Sequence, residues 1–319
     1  SLERHLASLS SAFKHCLQHG DEELRRNALE MIRTFEDYSQ FGVLVTLLEI
    51  PEFPLRDRVL LVIRELADRL YEHLKFGREM QAEAELAKRA EETRRVRGTA
   101  RTEVPEVRAE PIATPPKRFL RDADRIRLQT VAVLEQACRN YSKYEAPELV
   151  ECLLILADIE NTHAQRTIRE APEACRQLVT EILRTSTHPA IVMLVYNGLA
   201  LNYPFPGTVA AFEQRTDAEF IAHFLRAWPR KLTVFQHKNL KQVQRLAWIN
   251  PEELNLEIVP PNLHRTLISL VLTTGLPEDH KLSVLEWMVK HGSADGRHAA
   301  SDVLVDIKDN KVQEVVLES

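Results

Sequence analysis

Glycine is scarce in this chain, at 9 of 319 residues, and aromatic residues make up only 6%. Phosphate-cradling loops and tight β-hairpins draw on glycine for its left-handed conformations, and strands draw on aromatics. The two shortages together argue against a β-sandwich or an α/β nucleotide-binding enzyme and point to helices. Cysteine is also sparse: Cys16, Cys138, Cys152 and Cys175 stand far apart without a CxxC. That spacing indicates neither a disulfide framework nor a zinc ribbon, so buried free thiols in a reducing, cytoplasmic compartment are expected. No run of about 18 apolar residues exists to span a membrane. The first residues, SLERHLASLS, are charged and amphipathic rather than signal-like.

The chemistry-bearing motifs are missing as well. There is no GxGxxG, P-loop, GxSxG or HExxH, so the chain is read as a non-enzyme with no catalytic residue, cofactor or metal site. The nearest pairs to metal ligands are His298 with Asp302, Glu160 with His163, and His15 with His19 beside Cys16. A metal needs three or four converging ligands, and these pairs read as polar neighbours on helix faces.

What is present is apolar periodicity of three and four almost everywhere. It predicts helices over 2–19, 21–37, 40–50 and 54–76, the last extending toward 97, then 118–141, 146–160, 171–186 and 188–202. Further helices are expected over 207–214, 216–228, 230–249, 261–274, 277–291, 295–307 and 310–318. Prolines 51, 54, 147, 172, 189, 229, 251 and 277 punctuate them at helix starts and just past helix ends. The interruption is 77–117. Its first half is helix-prone without an apolar stripe, and its second, GTARTEVPEVRAEPIATPP, carries four prolines. The expected organisation is therefore an N-terminal helical unit over 1–76, a charged helix and linker over 77–117, and a helical repeat domain over 118–319. Arginines 94, 95, 97 and 101 alternate with glutamates there and read as a solvated linker.

A common frame runs through five helices. Arg25, Arg56, Arg176, Lys281 and Arg297 each head one, followed at plus three by Ala28, Val59, Val179, Val284 and Ala300. Aliphatic or large apolar residues follow at plus six and seven: Met31 and Ile32, Val62 and Ile63, Ile182 and Leu183, Trp287 and Met288, Val303 and Leu304. With Asp21 and Asp295 in the turns and Leu44 and Val315 beyond, the stretches 20–48 and 294–317 resemble the second-helix signature of HEAT and armadillo-type repeats. The resemblance implies an all-α superhelix of stacked hairpins that binds proteins or peptides along one face. The insertions NYPFPG and NPEELNLEIVPPN depart from it and leave the repeat count over 203–276 open, as well as the reading of an irregular helical domain. Val312, Val315, Val316 and Leu317 make an apolar stripe at the last helix, from which a longer repeat protein is expected.

Charge is the other asymmetry. The chain carries a net charge of -5, yet Phe220 to Pro251 contains no aspartate or glutamate. It holds Arg226, Arg230, Lys231, Lys238, Lys241 and Arg245, a local +6 that leaves about -11 elsewhere. Wound as one helix over 230–249, the segment puts Leu232, Phe235, Leu240, Val243, Leu246 and Ala247 on one face. Lys231, Lys238, Lys241 and Arg245 gather on the other, with Trp248 beside them. Arg230, Lys231, Lys238, Lys241, Arg245 and Trp248 are thus the candidate partner-binding residues of an interaction scaffold for an acidic protein or peptide. A second reading is nucleic-acid binding, for which HEAT-like DNA glycosylases offer a resembling architecture and Trp228 would join the set. A fainter one is a HEAT-like bilin lyase, which no residue pattern demands.

Overall fold

The computed structural model describes residues 2–96, 122–157, 162–229, 231–250, 252 and 254–317, with side chains from 8 to 93 and up to 307. Among the described residues every regular element is helical and no strand occurs. None of these helices is long and apolar enough to cross a membrane. The chain resolves into two compact units, one of residues 1–158 with 170–172, the other of 159–169 with 173–319. This division differs from the one expected from composition. The segment 77–96 is the end of a long helix inside the first unit, its side chains exposed from 80 to 93, and the helices over 123–139 and 147–156 pack back onto that helix. The Pro-rich half of the expected linker lies outside the described residues.

In the first unit, α1 (Leu2–His19) and α2 (Glu22–Phe35) form a hairpin. The aspartate before α2 starts it: Asp21 accepts a hydrogen bond from the Leu24 amide at 2.9 Å, satisfying an orphan donor of the first turn. Next come α3 (Phe41–Leu47) and the 41-residue α4 (Arg56–Val96). Val59, Ile63, Leu66 and Leu70 repeat at helical spacing on α4 and are wholly buried, so α2, α3, α5 (Ala123–Arg139) and α7 (Pro147–Leu156) all pack against it. Beyond Leu74 the stripe ends, and from 80 to 93 the side chains of α4 are exposed. Apolar almost all round, α7 is enclosed on every side.

In the second unit, α8 (Thr162–Glu170) and α9 (Glu173–Thr185) are followed by α10 (Pro189–Gly198), α11 (Thr208–Gln214) and α12 (Ala218–Arg226). The helix α8 was not expected from periodicity, because its buried residues are few and half of them polar: Ala164, Gln165, Thr167 and Ile168. A short α13 (Val234–Leu240) precedes α14 (His264–Thr273), α15 (Glu278–His291) and α16 (Ala294–Leu317). The last of these is continuous where two helices, 295–307 and 310–318, were expected. The sequence KDNK at 308–311 has neither proline nor glycine, and the backbone passes through it unbroken. Side chains of the apolar stripe 312–317 lie outside the described ones.

The five-helix frame acquires a physical meaning here. Arg25 reaches back to the carbonyls of Leu17 (3.1 Å) and Gln18 (3.4 Å) in the last turn of α1. Arg56 donates to Leu48 at the end of α3 (2.9 Å), Arg176 to Arg169 at the end of α8 (3.3 Å), and Arg297 to Gly292 at the end of α15 (3.0 Å). Four of the five basic heads therefore cap the preceding helix, where carbonyls lack intrahelical donors and the helix dipole is negative. Lys281, too short for this, pairs with Glu278 of its own helix at 2.8 Å. The plus-three residues of all five are buried, whereas the plus-six residue Met31 is exposed and only Val62 is buried. Asp295 is not a cap like Asp21, because Ser293 accepts the Gly296 amide instead (3.2 Å).

Arg215 takes the same device furthest. It is 2% exposed, donates to the carbonyls of Leu183 (2.8 Å) and Ser186 (3.0 Å), pairs with Asp217 (3.0 Å) and stacks over Phe220 at 4.4 Å. Removing it leaves two carbonyls and a carboxylate without their donor. Arg215→Ala is expected to lower stability by about 3 kcal/mol, with Arg215→Lys recovering only part because a single ammonium cannot serve three acceptors. Urea unfolding of the three proteins measures both.

The short α6 (Tyr141–Tyr144) ends at Glu145 in the left-handed region, φ 44°. Arg56 donates to the Tyr144 carbonyl as well as to Leu48, and the Tyr144 hydroxyl donates to the Glu49 carboxylate at 2.5 Å. Burial first, then the hydrogen bond and charge of Glu49, push the Tyr144 phenol up from 10.0 to about 12. A phenol with a raised folded-state pKa contributes stability that is complete below pH 10 and is lost as pH rises through about 12. Tyr144→Phe should flatten that alkaline fall, as read from denaturation midpoints between pH 9 and 12.

Candidate functional site

The carboxylate-free window begins in α12, which Asp217 caps by accepting the Phe220 amide at 3.1 Å. Its expected helix over 230–249 is corrected to seven residues, Val234–Leu240. The start is set locally. Thr233 and Gln236 form a reciprocal capping box, the Gln236 amide to Thr233 Oγ1 at 3.2 Å and the Thr233 amide to Gln236 Oε1 at 2.9 Å. The end is set by distant partners. The buried Asn239 amide donates to the carbonyls of Leu199 (2.9 Å) and Leu201 (2.7 Å). Glu213 then receives the next stretch, its carboxylate accepting the Gln244 amide at 2.6 Å and its carbonyl the Ala247 amide at 2.8 Å. The two Glu213 bonds take the Gln244 and Ala247 amides out of the i to i−4 ladder that periodicity alone predicts, and the Asn239 side chain anchors the end of α13.

The basic helix face consequently does not form. Lys231 precedes α13, Lys238 lies on it, Lys241 is its C-cap and Arg245 belongs to the irregular stretch, all four exposed. Arg230 lies outside the described residues. Trp248 is half-buried. Of the expected apolar face, Leu240, Val243 and Leu246 are buried, but Phe235 is 41% exposed and its neighbour Val234 79%. Lys238 instead sits with its ammonium 6.0 Å above the ring of Tyr203, itself 62% exposed.

The structure does bring part of the set together around Trp228. An open cleft of about 860 Å³ is lined by Trp228, Lys231, Leu232 and His237 on one side and by Arg265, Thr266, Ser269 and Thr273 of α14 on the other. No carboxylate is among its described lining residues. The indole is held in place, its N–H donating to Ser269 Oγ at 3.1 Å and its edge meeting Phe224 at 5.8 Å. Arg265 is the residue that composition missed, since it falls beyond the carboxylate-free window; only the packing of α14 opposite Trp228 reveals it. Behind it, the buried His264 fixes the start of α14. Its Nδ1 accepts the Ser293 amide at 3.0 Å, which leaves Nε2 to donate to the Val259 carbonyl at 3.2 Å.

A smaller cavity of about 200 Å³ adjoins this cleft. Trp228, Pro229 and Leu232 line both; Tyr196, Phe224 and Leu240 add apolar surface to the cavity, and Asn197 and Gln236 add polar groups. In the first unit, a cavity of about 530 Å³ runs between Leu9, Phe13, Phe35 and Phe41 on one side and Ile126 and Val133 on the other. Its carboxylates are engaged internally, Asp37 by the Ser10 and Ser39 hydroxyls (both 2.6 Å) and Glu36 by His73 (3.0 Å). Among the described residues no three His, Cys, Asp or Glu side chains converge for a metal ion. His298 and Asp302 form an exposed pair at 2.9 Å, the His15 and His19 rings stand 5.0 Å apart, and Glu160 lies outside the described residues. The four cysteines are free thiols.

Comparison of the chain with protein-family models, with curated proteins and with solved structures gives no match to any of them.

Gly275 tests the architecture of the basic segment. A Cβ there would lie 2.2 Å from the Lys241 carbonyl oxygen, so the close approach that ends α13 requires glycine. Gly275→Ala should raise amide exchange across 241–249 and lower stability by about 1–3 kcal/mol, while exchange in the first unit stays unchanged. Hydrogen-exchange mass spectrometry reads both regions in one experiment.

Proposed function

We propose that the chain is a non-catalytic binding module, an adaptor whose helical hairpins stack in the manner of HEAT and armadillo-type repeats and whose partner is an acidic protein or peptide. One observation carries the choice of partner: Lys231, His237 and Arg265 line a single cleft with no carboxylate among its described lining residues, in a chain of net charge -5. An anion entering it meets cations that have no acidic neighbour to satisfy them, while the acidic remainder steers such a partner toward this one region. The hydroxyls of Thr266 and Ser269 add donors for carboxylate oxygens. The repeat reading is supported by the arginine closures at Arg25, Arg56, Arg176 and Arg297, which give the sequence frame a common structural task.

The test is a charge reversal that spares the fold. Lys231→Glu with Arg265→Glu, both at exposed positions, should abolish capture of an acidic partner while the unfolding midpoint stays within error of the parent. Capture that survives the double variant removes the cleft from consideration. Binding of a random-sequence duplex that weakens steeply with salt would replace the reading with the nucleic-acid one.

A further inference from the structure

The cleft and the small cavity beside it point to a more specific occupant, and this inference rests on the anionic-partner reading above. We infer that the site takes a short acidic peptide carrying one large apolar side chain, the apolar side chain entering the cavity lined by Tyr196, Phe224, Leu232 and Leu240 while neighbouring carboxylates reach Lys231, His237 and Arg265.

The two halves of the site differ in chemistry and share a wall. The cavity of about 200 Å³ is below the roughly 300–1,000 Å³ of pockets that enclose whole small molecules. It suits a single leucine- or phenylalanine-sized side chain. The larger cleft is open and basic, shaped to receive groups that stay partly in water. Because Trp228, Pro229 and Leu232 belong to both, the anchor and the acidic residues must be close in the ligand. An extended chain advances about 3.3–3.6 Å per residue, so a separation of about one to three residues spans the shared wall.

Charge complementarity selects the ligand. From Phe220 to Pro251 there is no carboxylate to compete for the cations, and the opposite wall adds Arg265. Trp228, fixed through Ser269, presents a rigid aromatic between the two halves, the kind of preorganised residue on which interface energy concentrates.

Fluorescence anisotropy with synthetic twelve-residue peptides tests this on the full chain. Three peptides suffice: glutamate-rich with one central leucine, the same with serine for the leucine, and the leucine peptide with glutamine for every glutamate. The first should bind, and the loss of its anchor should weaken binding about tenfold or more, the scale of one buried aliphatic side chain. The glutamine peptide should not bind. Ala200→Phe narrows the cavity from its rim and should erase the advantage of the leucine peptide while leaving the serine peptide unchanged, which also reports that the protein is folded. Equal binding of the leucine and serine peptides overturns the inference and leaves the anionic-partner reading standing. Binding of neither acidic peptide at low salt overturns both, as does tighter binding of a single-stranded oligonucleotide.

Discussion

A chain of many short helices must end each one, and every ending leaves carbonyl groups without donors. The recurrent answer here is an arginine from the next helix. Arg25, Arg56, Arg176 and Arg297 each reach back to a helix end or the residue just past it, and each thereby fixes how the following helix leaves the turn. The guanidinium suits the task because it offers several donors in one plane and stays charged in a half-dry site. Apolar burial then acts on helices already oriented. The plus-three residue, one turn past the arginine, is the one that is always buried. Remove the closure and the seam has no fixed register.

This explains which parts of the fold were legible in the sequence. The frame could be seen because it couples a long-range polar bond to a local periodicity, so the arginine and the apolar residues recur together. Helix α8 could not, because its buried residues are Ala164, Gln165, Thr167 and Ile168, and a buried side that is half polar leaves no apolar period to read. The single helix α16 was read as two because 308–311 is polar, although polarity alone does not break a helix that lacks proline and glycine.

The candidate site was legible as charge and illegible as shape. Composition locates the carboxylate-free window without reference to conformation, and Lys231 and Trp228 do line the cleft. The helical wheel failed because beyond Leu240 the Gln244 and Ala247 amides bond Glu213, while the Asn239 side chain ties the end of α13 to the Leu199 and Leu201 carbonyls. Those acceptors lie roughly 30–40 residues away in sequence, where no window-based pattern reaches. Arg265 escaped for the complementary reason. Its role depends on α14 lying opposite Trp228, which is a matter of packing and leaves no trace in local composition.

The shortening of α13 has a consequence for binding. A continuous helix over 230–249 would have spread its cations along one straight face, a geometry that attracts any polyanion and discriminates weakly. Ending it at Leu240 sends Lys241 and Arg245 into a stretch pinned to Glu213 and leaves Lys231 and His237 beside a fixed indole. Lys241 and Arg245 stand on that pinned stretch, while Lys231 and His237 line the cleft with Arg265 opposite. Glu213 accepts one amide with its carboxylate and another with its carbonyl, so an acidic residue from outside the window is engaged by the backbone of the basic stretch.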